Sequence, residues 1–399
     1  MKKFLNEILR LENLTWRHWL LIFMAYFMLN VPILLKNAAD TNLAVFQAEA
    51  FLNQKLNIEK YFWDASVYEG KNYVSFPPVP SLIMLPLVAI FGTHINSVLV
   101  SLFIACLGML LLYRLLVRLM PDGAGRVWVF SAFFFGSGFW LAMATSDHIN
   151  GFAHVVCTVV LFFLLLELTG KQRPIWIGVF WALAFLTRQM TLFYGFLVLY
   201  YLFFDQENKK TAFKKLAIAS VTFLVFAVVY LTFNYYRFNN LFETGYQYLL
   251  YTSTIRERVD QYGIFNIHYF LFNFYHMFIK GHNLLFTGND QLSIGGMDQY
   301  GTSLLAASPF VIFAMKANVR KGLKIALWTT ISFILLGVLL YHNNGWAQVN
   351  AQRFSLDFLP ALLILVALSY KYVPSWLFKS FVGYAIALNF LSFLIHGLR

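Results

Sequence analysis

The stretch QRFSLDFLP, residues 352–360, sets Arg353 and Asp357 four residues apart, just ahead of the apolar run ALLILVALSY. On one face of a helix such a pair can bridge, contributing about 0.2–0.5 kcal/mol. Arg188 in LTRQM and Arg237 in NYYRFNN stand at comparable places, at predicted helix ends or hairpin tips. A guanidinium presents a planar fork that donates two parallel hydrogen bonds, which suits phosphate. A second set is acidic: Asp40, Asp64 and Glu69 fall within residues 37–94. A positioned carboxylate can take a proton from a hydroxyl. A third set, His148 and His154 in TSDHINGFAH, follows Asp147 and brackets Asn150. These histidines are six apart with no firm third ligand. A polar turn is therefore the plainest reading and a hydrogen-bonding role the next; a divalent metal stays open as a less favoured third, and no cofactor is certain.

The elements that must position these residues are membrane helices. The 399 residues are 60% hydrophobic and 12% charged, where a soluble domain averages about 45–50% and about 25%. Apolar runs of roughly 20 residues recur along the chain, as in an all-α polytopic membrane protein. The predicted spans number eleven: 19–36, 95–117, 127–144, 152–168, 175–187, 190–204, 212–233, 301–316, 323–341, 358–371 and 378–395. The pair 175–187 and 190–204 is short and reads as a helical hairpin with Arg188 at its tip. Cys106 and Cys157 lie inside apolar runs, which excludes a disulfide framework. No repeat or linker divides the chain, so residues 1–399 form a single membrane domain. Its start, MKKFLNEILRLENL, has the pattern of an amphipathic helix lying on the membrane surface.

The formal charge of +12 fits asymmetry across a bilayer better than nucleic-acid binding. With the N-terminus cytoplasmic, 19 of the 30 Lys and Arg fall in short inner segments, as the positive-inside rule expects. Most acidic residues then face outward, in two long loops at about 37–94 and 234–300, and any chemistry belongs on that outer face. In the first loop, Asp40 closes the first span and heads a helix, where Asp serves as an N-cap. Pro77, Pro78 and Pro80 forbid a continuous helix, leaving residues 79–91 as an interfacial helix. The second loop carries an aromatic belt, FNIHYFLFNFYHMF, of the kind that anchors proteins at headgroup level. That anchoring does not account for Arg237, Glu243, His276 or Lys280.

A first span ending in an acidic residue, followed by a long loop with FPPVPSLIMLP, resembles the GT-C superfamily of membrane glycosyltransferases. Within it the chain is most similar to the bacterial protein-mannosyltransferase and aminoarabinose-transferase branch. GVFWALAFLTRQMTLFY resembles that branch's short hairpin, and NYYRFNNLFETGY and WAQVNAQRFSLDFLP are similar to bacterial members of the same fold. The resemblance implies a multi-pass protein of the bacterial inner membrane with its active site on the periplasmic face. It implies a sugar donor on a polyprenyl phosphate, an acceptor (lipid, glycan or protein) entering from outside, and inversion at the anomeric carbon. An acidic residue of the first outer loop would be the general base. The family's paired acidic residues are here Asp40 followed by Thr41, so Asp64 or Glu69 could share or take that role.

The residues read on their own agree. Transfer from a lipid phosphate needs a carboxylate for the proton and cations for the departing phosphate. Asp40 and Asp64 are the candidate catalytic carboxylates, and Arg188, Arg237 and Arg353 the candidate phosphate contacts. Asp357 would hold the Arg353 guanidinium from one turn away. Glu69, His148, His154 and Glu243 are supporting candidates. Three other readings compete. A flippase or transporter would place ionisable residues in mid-span and show related halves. An O-antigen ligase or polymerase would carry its large loop late in the chain. A non-catalytic partner in glycolipid assembly would have kept the fold and lost the chemistry.

Overall fold

The computed structural model describes residues 16–36, 41–60, 62, 64–251, 253–298, 300–343 and 348–397. Asp40 and the amphipathic stretch at the start lie outside the described residues. Ten of the eleven predicted segments are mainly helical, while 301–316 begins in a strand and continues as two short helices, Leu304–Ala307 and Pro309–Lys316. Among the described residues six helices are long and apolar enough to cross a membrane: Arg17–Lys36, Ser97–Leu119, Ile149–Leu168, Lys209–Phe238, Lys321–Leu339 and Ser375–Ile395. A seventh is reached if Gly123–Phe134 and Gly138–Ala144, bent by 47° at their break, count as one. The expected count of eleven is therefore not met by length. Helix Pro174–Phe185 has 12 residues, about 18 Å at 1.5 Å per residue, against a hydrocarbon core of about 30 Å.

The first loop folds against the bundle. Its helix Leu43–Leu52 is capped by Asn42, whose side-chain oxygen accepts from the Ala44 N–H at 2.9 Å. Asn42 is therefore the cap of this helix, since capping needs a side chain beside the first helical residues. Strands Ser66–Tyr68 and Lys71–Tyr73 pair antiparallel. Glu69 and Gly70 form their turn at φ +49° and +73°, the left-handed geometry of a tight hairpin. Helix Val79–Phe91 follows with Pro80 in its first turn, where a missing N–H costs nothing. The Val79 N–H donates to Leu186 O at 3.2 Å, tying this loop to the hairpin tip.

Two apolar cores result. One fills the bundle around Phe133, Phe139, Trp140, Phe162 and Phe310. The other packs the first-loop helices onto Ile149, Phe152, Leu186 and Tyr230. Helix Lys209–Phe238 spans 30 residues, about 45 Å, so it overshoots the hydrocarbon core and carries its last turns up to the second core. It starts at Asn208, which accepts from Thr211 N at 3.1 Å, and ends at Asn239 in the left-handed region with φ +53°. In the second loop, strand Tyr300–Thr302 pairs parallel with Gln348–Ala351. That pairing brings the loop to the segment just ahead of Arg353.

Candidate active site

Three elements distant in sequence meet around Asp357. Residues 353–357 form a 3₁₀ helix, with three residues per turn rather than 3.6. Position 357 is then about a third of a turn round from 353, and the expected Arg353–Asp357 bridge does not form. Asp357 instead takes Arg188: Nη2 donates to Oδ2 at 2.9 Å and Nε to Oδ1 at 3.1 Å. His154 Nδ1 lies 3.3 Å from Oδ1, with neither ring nitrogen in hydrogen-bond geometry among the described residues. His154 is buried inside helix Ile149–Leu168, not at the polar turn where the sequence suggested it. Asp357 is 1% exposed, so an unpaired charge there would cost several kcal/mol. Arg188 answers that cost, holding the Asp357 carboxyl down at about 2 against the opposing effect of burial.

Arg188 uses Nε and Nη2 on Asp357, and among the described residues Nη1 has no hydrogen-bond partner. The guanidinium lines a cavity of about 490 Å³. Leu231 of helix Lys209–Phe238 and Val338 of helix Lys321–Leu339 both line it, with Phe185, Met190 and Phe265 adding apolar surface. Tyr246, Tyr341 and Glu243 supply polar atoms at the same cavity. Burial pushes the phenols of Tyr246 and Tyr341 well up, so both stay protonated donors. Glu243 also ties its own turn, accepting from Gly245 N at 2.6 Å.

Arg353 and Arg188 flank one ring, each guanidinium 5.3 Å from the centre of Phe354. Burial, and then the neighbouring Arg188, lower the Arg353 guanidinium to about 10, still charged at neutral pH. Arg353 also acts on Asp64, which connects this wall to a second, smaller recess. There Asp64 and His148 line a space with Thr41 and Phe62. Asn150 Nδ2 donates to Asp64 Oδ2 at 3.1 Å. Loss of water raises the Asp64 carboxyl to about 6, opposed by Asn150, Arg353 and His148. The recess is held in place by backbone acceptors: Thr41 Oγ1 donates to Asp147 O at 2.8 Å and Asn42 Nδ2 to Ser146 O at 2.9 Å.

The remaining candidates are placed elsewhere. Arg237 is 2% exposed and does not line the cavity. Its Nη1 donates to Val74 O at 2.5 Å and its Nη2 to Asn234 Oδ1 at 2.7 Å. The guanidinium stacks 4.0 Å from the Phe233 ring centre, which makes it a fastener between the first loop and the long helix. Glu69 sits exposed at the hairpin turn. Lys280 pairs with Asp298 at 2.6 Å, and His276 is bonded to Phe272 O at 2.9 Å. Among the described residues no group of three or more His, Cys, Asp or Glu side chains could hold a metal ion. Sequence reasoning missed Phe354, Tyr246 and Tyr341, since single aromatics in so aromatic a chain carry no signal of their own. Asn150 had a signal, lying between the two histidines of TSDHINGFAH.

The helical bundle, with its first long loop packed against it and Arg188 at its cavity, has the GT-C fold, which it shares with the solved structure of ArnT. Residues 75–233 match the family model described as dolichyl-phosphate-mannose-protein mannosyltransferase. The chain is similar in structure to ArnT from Cupriavidus metallidurans bound to undecaprenyl phosphate, with a TM-score of 0.56 and 16% identity. That likeness covers 90% of this chain and 62% of the ArnT chain, so this chain spans under two thirds of it. An oligosaccharyltransferase from Archaeoglobus fulgidus, tethered with an acceptor peptide containing the NVT sequon, matches with a TM-score of 0.49 and 13% identity. There the likeness covers 94% of this chain and 54% of that one. No curated protein matches the chain. The expected GT-C resemblance and the multi-pass helical architecture are borne out.

Proposed function

We propose that this chain is an inverting glycosyltransferase that moves a sugar from a polyprenyl-phosphate donor to an acceptor on the outer face of the bacterial inner membrane. The observation that carries this reading is Arg188. Asp357 fixes one edge of its guanidinium, and the rest borders an apolar cavity between two candidate spans. Such a cavity suits a prenyl chain, and an oriented guanidinium suits its phosphate. The undecaprenyl phosphate named with the similar ArnT structure, and the lipid-phosphate mannose in the family description, support the same donor class. The charge distribution supports an outer site, with 19 of 30 Lys and Arg in the expected inner segments.

In the proposed step the acceptor oxygen bonds to the anomeric carbon from the side opposite the phosphate. The bond from that carbon to the phosphate oxygen breaks, and its electron pair leaves with the phosphate. Arg188 stabilises the growing negative charge at the cavity, and Arg353, which does not itself line that cavity, adds its positive charge from beside Phe354. The acceptor proton passes to a first-loop carboxylate. Asp64, raised to about 6, is ionised at pH 7 and close to the value at which a general base works best. Asp40, one residue before Thr41 in the sequence and outside the described residues, is the alternative base. Arg237 is left out of the phosphate site and given the fastening role its contacts support.

The test uses the purified full chain in lipid vesicles with a panel of polyprenyl-phosphate sugars and a membrane extract as acceptor source. Free polyprenyl phosphate should be released by the wild type and strongly reduced in Arg188→Gln. Asp40→Asn and Asp64→Asn apportion the base between them. Release undiminished in both would remove the first loop from the chemistry, and no release from any donor would overturn the enzyme reading.

A further inference from the structure

A second cavity, of about 280 Å³, lies at the other end of the bundle and plays no part in the proposed transfer. It is reached along helix Ile149–Leu168: His154 marks the site end and Glu167 the other, 13 residues or about 20 Å apart. Arg114 and Arg118 line it from helix Ser97–Leu119, and Lys171 and Arg173 from the turn after Glu167. Arg114 and Arg118 stand four apart on one helical face, an arrangement that is destabilising for like charges. The single carboxylate lining the cavity is already engaged. Glu167 accepts from Arg173 Nη2 at 2.8 Å, from Nε at 2.9 Å and from the Arg173 backbone N–H at 3.0 Å.

Helix capping explains part of this charge. Arg118 Nη1 donates to Leu166 O at 2.5 Å, closing the end of the neighbouring helix. It does not explain Arg114 or Lys171, neither of which has a hydrogen bond or ion pair among the described residues. An aromatic stack lines the same cavity. Phe180 stacks on Phe163 at 5.1 Å and 15°, and Trp176 on Phe180 at 5.8 Å and 26°. Cations without counter-ions beside an aromatic wall, at the end of a candidate span, form a receptor for a molecule that is anionic at one end and apolar along its length.

We propose that this cavity binds the phosphate headgroup of an anionic membrane phospholipid, with Arg114, Arg118 and Lys171 on the phosphate and an acyl chain along the Phe163–Phe180–Trp176 wall. The aromatic wall decides for a lipid over a free phosphate, which would leave that surface wet. The site rests on the membrane placement of the helices and not on the glycosyl-transfer reading.

Native mass spectrometry of the full chain, titrated with phosphatidylglycerol or phosphatidylcholine in detergent, tests it. Phosphatidylglycerol should bind at least tenfold more tightly. Arg114→Gln with Arg118→Gln should weaken it about 30-fold, at about fivefold for each cation near a phosphate surface. Arg114→Lys with Arg118→Lys should retain most of the affinity, which separates loss of charge from loss of folding. Arg256→Gln, which removes an exposed ion pair with Asp260 elsewhere, should change nothing. Equal binding of the two lipids, or an unaltered double Gln variant, would overturn the proposal. Displacement of the lipid by millimolar inorganic phosphate would overturn its lipid part and assign the site to a free anion.

Discussion

Asp357 and Asp64 are two carboxylates in one neighbourhood, and the fold treats them in opposite ways. Asp357 is sealed under a guanidinium that grips both of its oxygens and is held down at about 2. It stays charged at any workable pH and can serve only to aim Arg188. Asp64 has one amide, from Asn150, and is raised to about 6. Folding stabilises the first charge and penalises the second, and a penalised charge is what proton transfer near neutrality requires. On the proposed function, anchoring and chemistry are thus divided between two side chains of the same type.

The contrast breaks most sharply at Arg188. Arg188→Ala leaves Asp357 buried without a counter-ion, and thermal unfolding in detergent should show a loss of about 3–5 kcal/mol. Donor turnover should fall about 10²–10³-fold as well. Arg188→Met combined with Asp357→Leu should recover most of the stability and none of the turnover, separating the two roles. Next in size is Asp64→Asn. Polyprenyl phosphate release should drop by about 10², with thermal stability at pH 7 unchanged or raised, because the variant removes a charge that burial disfavours. A variant that loses both activity and stability would make Asp64 another anchor.

The pH dependence sharpens the comparison further. Turnover should fall about tenfold for each pH unit below about 6, as Asp64 takes up its proton. Stability should move the other way. Between the ordinary 3.8 and the folded value of about 6, the folded protein keeps a proton that the unfolded chain has lost. Stability therefore falls as pH rises through that window, a slope that Asp64→Asn should remove. The smallest effect belongs to Asn150→Ala. Its amide favours ionised Asp64, so its loss should raise the midpoint of the pH profile by roughly half a unit.

How much of this was legible in the sequence follows from the range of the interactions. Apolar runs report local burial, and ten of the eleven predicted segments are mainly helical, including the short hairpin with Arg188 at its tip; 301–316 instead starts in a strand. Span length was less legible, because a 12-residue helix such as Pro174–Phe185 is as apolar as a full crossing. Asp357 was legible as a partner for an arginine, but not for the right one. Spacing offered Arg353, while the 3₁₀ geometry of residues 353–357 turned the carboxylate towards an arginine 169 positions earlier. His154 was misread for a related reason, since the polar residues around it resemble a turn that in fact ends at His148. Arg237 resembled Arg188 in every local respect, and only Val74 and Asn234 distinguish it.

The Arg188–Asp357 bridge also has a consequence in time. Ribosomes add roughly 5–20 residues per second, so the 169 positions between the two side chains take roughly 10–30 s to make. During that interval the hairpin is in place with its guanidinium unaimed. A nascent or truncated chain that stops short of residue 357 holds the arginine but not the group that orients it, so on the proposed function donor capture waits until most of the protein has been inserted.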